Sequence, residues 1–224
     1  WHGRAVGYSL PATPDLLHSA PAMTPCTPDE DEAHPALQPL REAGLSANVV
    51  AQVLAFYDEP NRVYHARAHV REMLDASVAL KLPLSAAQGL AVLFHDAIYV
   101  PGAPRGANEA LCAQLMRVYA HELPRAVLEA ARSIVLDTTD HIARTPESGA
   151  VLDLDLLRLA TPTDEFAQIS LQVFAEVRPL FDTPDDAAAW TAFMQRRAAF
   201  FRALLEREFI YTLPDVRQRF EAVA

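Results

Sequence analysis

The chain has little cysteine, a single lysine and no long apolar run, and each shortage removes a class of protein. Cys26 and Cys112 are the only thiols in 224 residues. Two cysteines so far apart build neither a disulfide framework nor a zinc ribbon, so reduced thiols in a cytoplasmic protein are expected. No apolar run nears the roughly 18 residues that a bilayer span needs. The opening WHGRAVGYSL has neither the basic start nor the apolar stretch of a signal peptide. No membrane partner is expected. Lys81 is the sole lysine among 19 basic residues, set against 29 acidic ones, for a net charge of -10. Such a chain repels phosphate backbones, so no nucleic-acid partner is expected, although a small phosphorylated ligand held by a metal and a few arginines remains compatible. Strand alternation between hairpin turns is also missing, as is any internal repeat.

What is present is 51% hydrophobic residues, enough to bury a core, arranged mostly at helical spacing. Residues 1–40 stand apart: seven of the seventeen prolines and the acidic run DEDE fall there, with no sustained apolar period. Proline removes amide donors and breaks helices, so this stretch reads as an irregular extension. Residues 41–224 read as one helical domain. Ser46 caps SANVVAQVLAFY, and VYHARAHVREMLDASVAL follows the turn DEPN. Ser85 opens SAAQGLAVLFHDAIY, apolar nearly all round and therefore central. After the Pro- and Gly-rich loop VPGAPRGAN come EALCAQLMRVYAHEL and PRAVLEAARSIVLDT, the latter with Pro124 at its start, where a missing amide costs little. The loop TPESG, the short helix VLDLDLLRLA and two longer helices complete the chain. Helices joined by short loops give an all-α fold, a single helical bundle with a Pro-rich N-terminal extension.

Chemistry is sought where polar residues interrupt apolar faces. His65 and His69 in YHARAH share a face if one helix covers both. His95 and Asp96 sit on the most apolar helix, where an unpartnered carboxylate is costly. His141 closes TTDH, and Asp153 and Asp155 lie in LDLDLL. Two positions on a helix differ by about 200°, so at most one of that pair faces the other candidates. Imidazole and carboxylate together suit Mn, Fe, Co, Ni, Zn or Mg. Any one of these motifs is common by chance; their order along the chain is less so. The plainer readings are a helix-end role for His121, solvated positions for His2, His18 and His34, and a buried structural thiol for Cys112.

The order HxxxH, HD, DxD resembles the H…HD…D signature of the HD superfamily of metal-dependent phosphohydrolases. More narrowly, the chain is similar to a branch with a Tyr, an Arg, YHxxxH, FHDxxY, an NE pair, TxxH and DxDL. Here these are Tyr57, Arg62, YHARAH, FHDAIY, Asn108-Glu109, Thr138 to His141 and DLDL from Asp153; Val177-Arg178 and Ile210-Tyr211 also fit, so the likeness spans about residues 46 to 212. The resemblance implies an HD-type bundle with His69, His95, Asp96 and Asp155 as metal ligands. It implies that Glu109 and His141 hold a second ion or serve as acid and base, with Asp96 joining metal and water. Arg62, His65 and Asn108 would bind substrate. Three positions depart from the branch: Val100 stands for an expected Asp, Cys112 for a Ser, and Pro179 for an acidic residue.

The activity so implied is hydrolysis of a small phosphorylated metabolite or nucleotide with one or two divalent ions. Two alternatives stand beside it. One is a di-iron oxygenase using His69, His95, Asp96, His141, Asp155 and either Glu109 or His121. The other is a metal-stapled ligand-binding domain without catalysis.

Overall fold

The computed structural model describes residues 31–224. Among them lie ten α-helices and no strand, as the apolar periodicity predicts. In chain order these are α1 (Gln38–Glu42), α2 (Ala47–Leu54), α3 (Arg67–Ala79), α4 (Ala86–Phe94), α5 (Ala107–Tyr119), α6 (Arg125–Asp137), α7 (Ser148–Leu156), α8 (Thr163–Val177), α9 (Asp186–Leu205) and α10 (Pro214–Phe220). No described helix is long and apolar enough to cross a membrane.

The starts follow the sequence signals. Ser46 Oγ accepts the Val49 amide at 3.3 Å. At Ser85 a capping box forms, with Ser85 Oγ and the Gln88 side chain each satisfying the other's backbone amide. From there α4 runs through the middle of the molecule. Leu90, Ala91, Val92, Leu93 and Phe94 are fully buried, and α1, α2, α3, α5, α6 and α7 all pack on it. A helix apolar all round can only sit where neighbours surround it. The second half of the chain adds its own layer: Phe174 and Phe193 pack with Ala189, and Trp190 lies edge-on to Phe174.

The expected boundary at residue 40 falls inside α1. Leu37 and Leu40 are core residues, and His34 is buried rather than solvated. His34 Nδ1 accepts the Ala36 amide at 3.2 Å. The proton is thereby placed on Nε2, which donates to Asp75 at 3.0 Å. Asp31, from the acidic run, accepts from Arg71 at 2.8 Å. The prolines mislead because Pro35 and Pro39 open their helical turns, where an amide is not needed. Residues 1–30, with His2, His18 and Cys26, lie outside the described residues.

A second correction concerns the end of α4. The helix stops at Phe94, so His95 and Asp96 lie at its carboxyl end and not within it. The final carbonyls of a helix have no partner in the helix itself, and here they end in the interior. Tyr57 donates its hydroxyl to the Leu93 carbonyl at 3.0 Å and accepts the Asp96 amide at 3.3 Å. Arg62 donates to the Asp96 and Ala97 carbonyls, to the His65 carbonyl and to Glu59. A buried cation at the negative end of a helix is also favoured by the dipole. Arg62 therefore ties down the turn that follows α4, with all three guanidinium nitrogens engaged and turned away from substrate phosphate.

Arg62→Leu is expected to lower unfolding stability by roughly 2–4 kcal/mol, because several buried carbonyls lose a charged donor at once. Urea denaturation measures this; an unchanged midpoint would show that Arg62 does not carry that turn.

Candidate metal centre

Three elements deliver the side chains. The first turn of α3 supplies His69, the end of α4 supplies His95 and Asp96, and α7 supplies Asp155. Donor atoms of His69, His95 and Asp155 all lie within 4.8 Å of one another, so residues far apart in the chain converge on one point. Asp96 adjoins them through His95, its Oδ2 standing 3.1 Å from His95 Nε2.

The choice within DLDL is resolved by the helix itself. Asp155 faces the cluster, with Oδ1 accepting from His69 Nε2 and Oδ2 from His141 Nε2, each at 3.0 Å. Asp153 faces away and is buried. It accepts the Thr212 and Leu213 amides at 2.6 and 2.7 Å, fixing the start of α10.

His141 comes from the loop between α6 and α7, with a left-handed backbone at φ 52°. Histidine tolerates this region better than bulkier residues but not freely. The conformation is clamped from α9's end, where Arg207 donates to the Asp140 and His141 carbonyls at 2.6 and 2.7 Å. The loop's two ends are tied by Asp137, which accepts Ser148 Oγ at 2.6 Å and the Arg144 amide at 3.0 Å.

The donor set fits a divalent ion. His95 Nδ1 donates to the Val92 carbonyl at 2.9 Å, which fixes the ring and leaves Nε2 as the free nitrogen. Nε2 is buried and has no hydrogen-bond partner within the protein, its approach to Asp96 lacking hydrogen-bond alignment. A ring held through one nitrogen with the other free and buried is what a metal-ligating histidine needs. Two imidazoles with two carboxylates match borderline divalent metals.

The electrostatics describe the cluster without a cation. Burial opposes charge on His95, but the adjacent Asp96 and Asp155 carboxylates push its pKa up to about 9. Burial alone would raise the Asp155 carboxyl; His141 and His69 hold it well below the usual carboxylate range. Asp96 behaves likewise, with burial outweighed by His95 and His65. Burial lowers His69, which stays a neutral donor to Asp155. The paired carboxylates favour the protonated ring of His95, its second proton lying on Nε2 beside Asp96 Oδ2, and an ion held there would take that proton's place.

Asp96 and Asp155 line a cleft of about 260 Å³ that also receives His65, Asn108, Glu109 and His141. His65 does not share a helix face with His69, since α3 begins only at Arg67. It stacks on Tyr99 with centroids 3.8 Å apart and meets Glu176 Oε2 through Nδ1 at 2.6 Å. Asn108 spends its amide on Val100, accepting that amide at 3.1 Å and donating to that carbonyl at 3.3 Å. Its role is to pin the loop before α5. Glu109 lies in the first turn of α5 and faces the cleft. His121 does not reach the cleft; it is exposed and bonds the Val118 carbonyl. Cys112 is the buried thiol expected, bonded to the Ile98 backbone.

Glu176 was not singled out from the sequence. Its Oε1 accepts the Val63, Tyr64 and His65 amides at 2.8, 2.7 and 2.9 Å. This buried carboxylate from α8 therefore fixes the approach to α3, and with it His65. The signal was an acidic residue on the apolar stripe of Ile169 and Val173. Tyr64, Arg158 and Arg197, which also line the cleft, were missed as well.

No family model matches the chain, and neither a curated protein nor a solved structure is similar enough to match it.

Titration with Mn or Co is expected to load the parent and to fail with His95→Ala and Asp155→Asn, while His65→Ala still loads. Binding near pH 7 should release about one proton, displaced from the histidines. Elemental analysis and calorimetry in two buffers read these out. Parent-like loading of His95→Ala would remove the centre.

Glu176 gives a separate test. Burial would raise its carboxyl, but the bonds from His65 and the backbone amides hold it below the ordinary value of 4.5. A carboxylate depressed in the folded state contributes stability above the unfolded pKa and loses it as pH falls through the folded one. The urea midpoint of Glu176→Gln should therefore be lower than the parent's near pH 7, and the gap should narrow below about pH 4. A gap constant with pH would refute the charged clamp.

Proposed function

We propose that the protein is a metal-dependent phosphohydrolase acting on a small phosphorylated compound. The observation that carries this reading is the convergence of His69, His95 and Asp155, with Asp96 beside them, against a cleft that Asp96 and Asp155 line. The residue order resembling the HD signature supports it. His69, His95, Asp96 and Asp155 would hold the ion. When bound, a divalent ion supplies Lewis acidity, polarising a phosphoryl oxygen and lowering the pKa of a water toward neutrality.

The chain's own residues supply positioning and proton transfer. His65 donates from Nδ1 to Glu176, which leaves Nε2 as a proton acceptor in the cleft wall. Such a carboxylate-oriented histidine can take the proton of the attacking water. His141, bonded to Asp155 through Nε2, orients that carboxylate, and Glu109, in the same cleft, can exchange a proton with the leaving oxygen. The enclosing Tyr64, Tyr99 and Phe166 restrict water.

One observation favours a second reading. Asp155 directs its two oxygens at two different histidines, His69 and His141, an arrangement that also suits two ions. With two irons the same cluster would serve oxygen activation.

A panel of phosphorylated metabolites assayed with Mn or Co is expected to show phosphate release that falls at least about 100-fold in His95→Ala. Iron retained through purification, with oxygen uptake and no phosphate release, would replace the hydrolase by the oxygenase.

A further inference from the structure

Two arginines in the cleft have donors with nothing to bond. Among the described residues Arg197 has no hydrogen bond and no carboxylate partner, and its Nε is buried. It lies instead against rings, 4.9 Å from the Phe201 centroid, 5.6 Å from Phe166 and 5.9 Å from Phe193. Arg158 is paired with Glu72 through Nε and Nη2, but its Nη1 is buried without a partner. Both residues line the cleft that Asp96 and Asp155 also line. Arg158 lies 4.7 Å over the Tyr64 ring, and Tyr64 stacks on His69 with centroids 5.4 Å apart. The cationic wall is therefore one ring away from a candidate ligand.

Orphaned guanidinium donors are costly, because the charge leaves water and gains no acceptor in return. A guanidinium presents planar paired donors that match an oxyanion. Aromatic walls hold Arg197 in place without competing for those donors. Arg62, the arginine that the sequence suggests for phosphate, is spent on the turn after α4. Asp96, Asp155 and Glu109 line the cleft as well, so an anion entering it needs the two arginines to offset them.

We propose that Arg158 and Arg197 form the phosphoryl-binding subsite of the cleft, and that substrates are phosphomonoesters whose phosphoryl group is held between these guanidinia and the metal cluster. The exposed ring of Phe200, which lines the cleft and stands edge-on to His141 with centroids 6.2 Å apart, receives the organic part of the ester. The assignment of turnover rests on the hydrolase reading; binding of the anion does not.

The test is inorganic phosphate binding, followed by calorimetry on the full chain, chelator-treated and Mn-loaded, with benzoate as the carboxylate comparison. The parent is expected to bind phosphate in both states. Arg197→Gln should weaken it about 10-fold or more, with Arg197→Lys between them, and Mn stoichiometry and melting temperature unchanged. Arg158→Gln should weaken it further. Equal phosphate affinity in the parent and Arg197→Gln, or none in the parent, overturns the subsite while leaving the metal reading to its own test. Benzoate binding with the same dependence on Arg197 overturns the phosphoryl assignment. Arg197-dependent phosphate binding in a chain that takes up no metal upholds the subsite and removes the hydrolase.

Discussion

A helix that ends in the interior must have its last carbonyls satisfied there, and that requirement organises this molecule. Tyr57, from the turn after α2, closes the carboxyl end of α4, and Arg62, from the segment leading to α3, holds the turn that follows it. Closing it brings those segments against His95 and Asp96. The same segment is held from the opposite side by Glu176, which takes three consecutive amides. His65 and His69 follow directly in sequence. The position of the candidate ligands is thus a by-product of backbone hydrogen bonding where water does not reach.

The cluster itself is a balance of charges that would be untenable singly. Two carboxylates share a buried space with three imidazoles, and each acid is held ionised by a histidine beside it. Removing one partner from such a set leaves an uncompensated charge, which costs more than the pair contributes. The Asp96 and Asp155 carboxylates favour a proton on His95. A divalent ion held there would replace that proton with a charge of the same sign and greater strength.

Much of this was legible in the sequence, and the exceptions share a cause. The all-α fold, the caps at Ser46 and Ser85, and the separation of Asp155 from Asp153 follow from local periodicity. His69, His95 and Asp155 do meet, as their order suggests. Arg62 was misread because its partners are carbonyls, which every residue carries and no pattern marks. His141 reaches Asp155 through a left-handed backbone that nothing in TTDH announces. His34 and Leu37 were hidden behind prolines that in fact open helical turns. Arg197 had a faint signal, a cation on the Phe193, Phe200 and Leu204 face of α9, and its meaning depends on what α9 packs against.

The clamp that Glu176 places on residues 63–65 joins positions more than a hundred residues apart. Arg207 reaches back to His141 across a further long separation. Contacts of this range form late, because the loop entropy must be met before they return anything. The placing of His65 and His141 thus depends on Glu176 and Arg207, which the chain supplies only after the candidate ligands themselves.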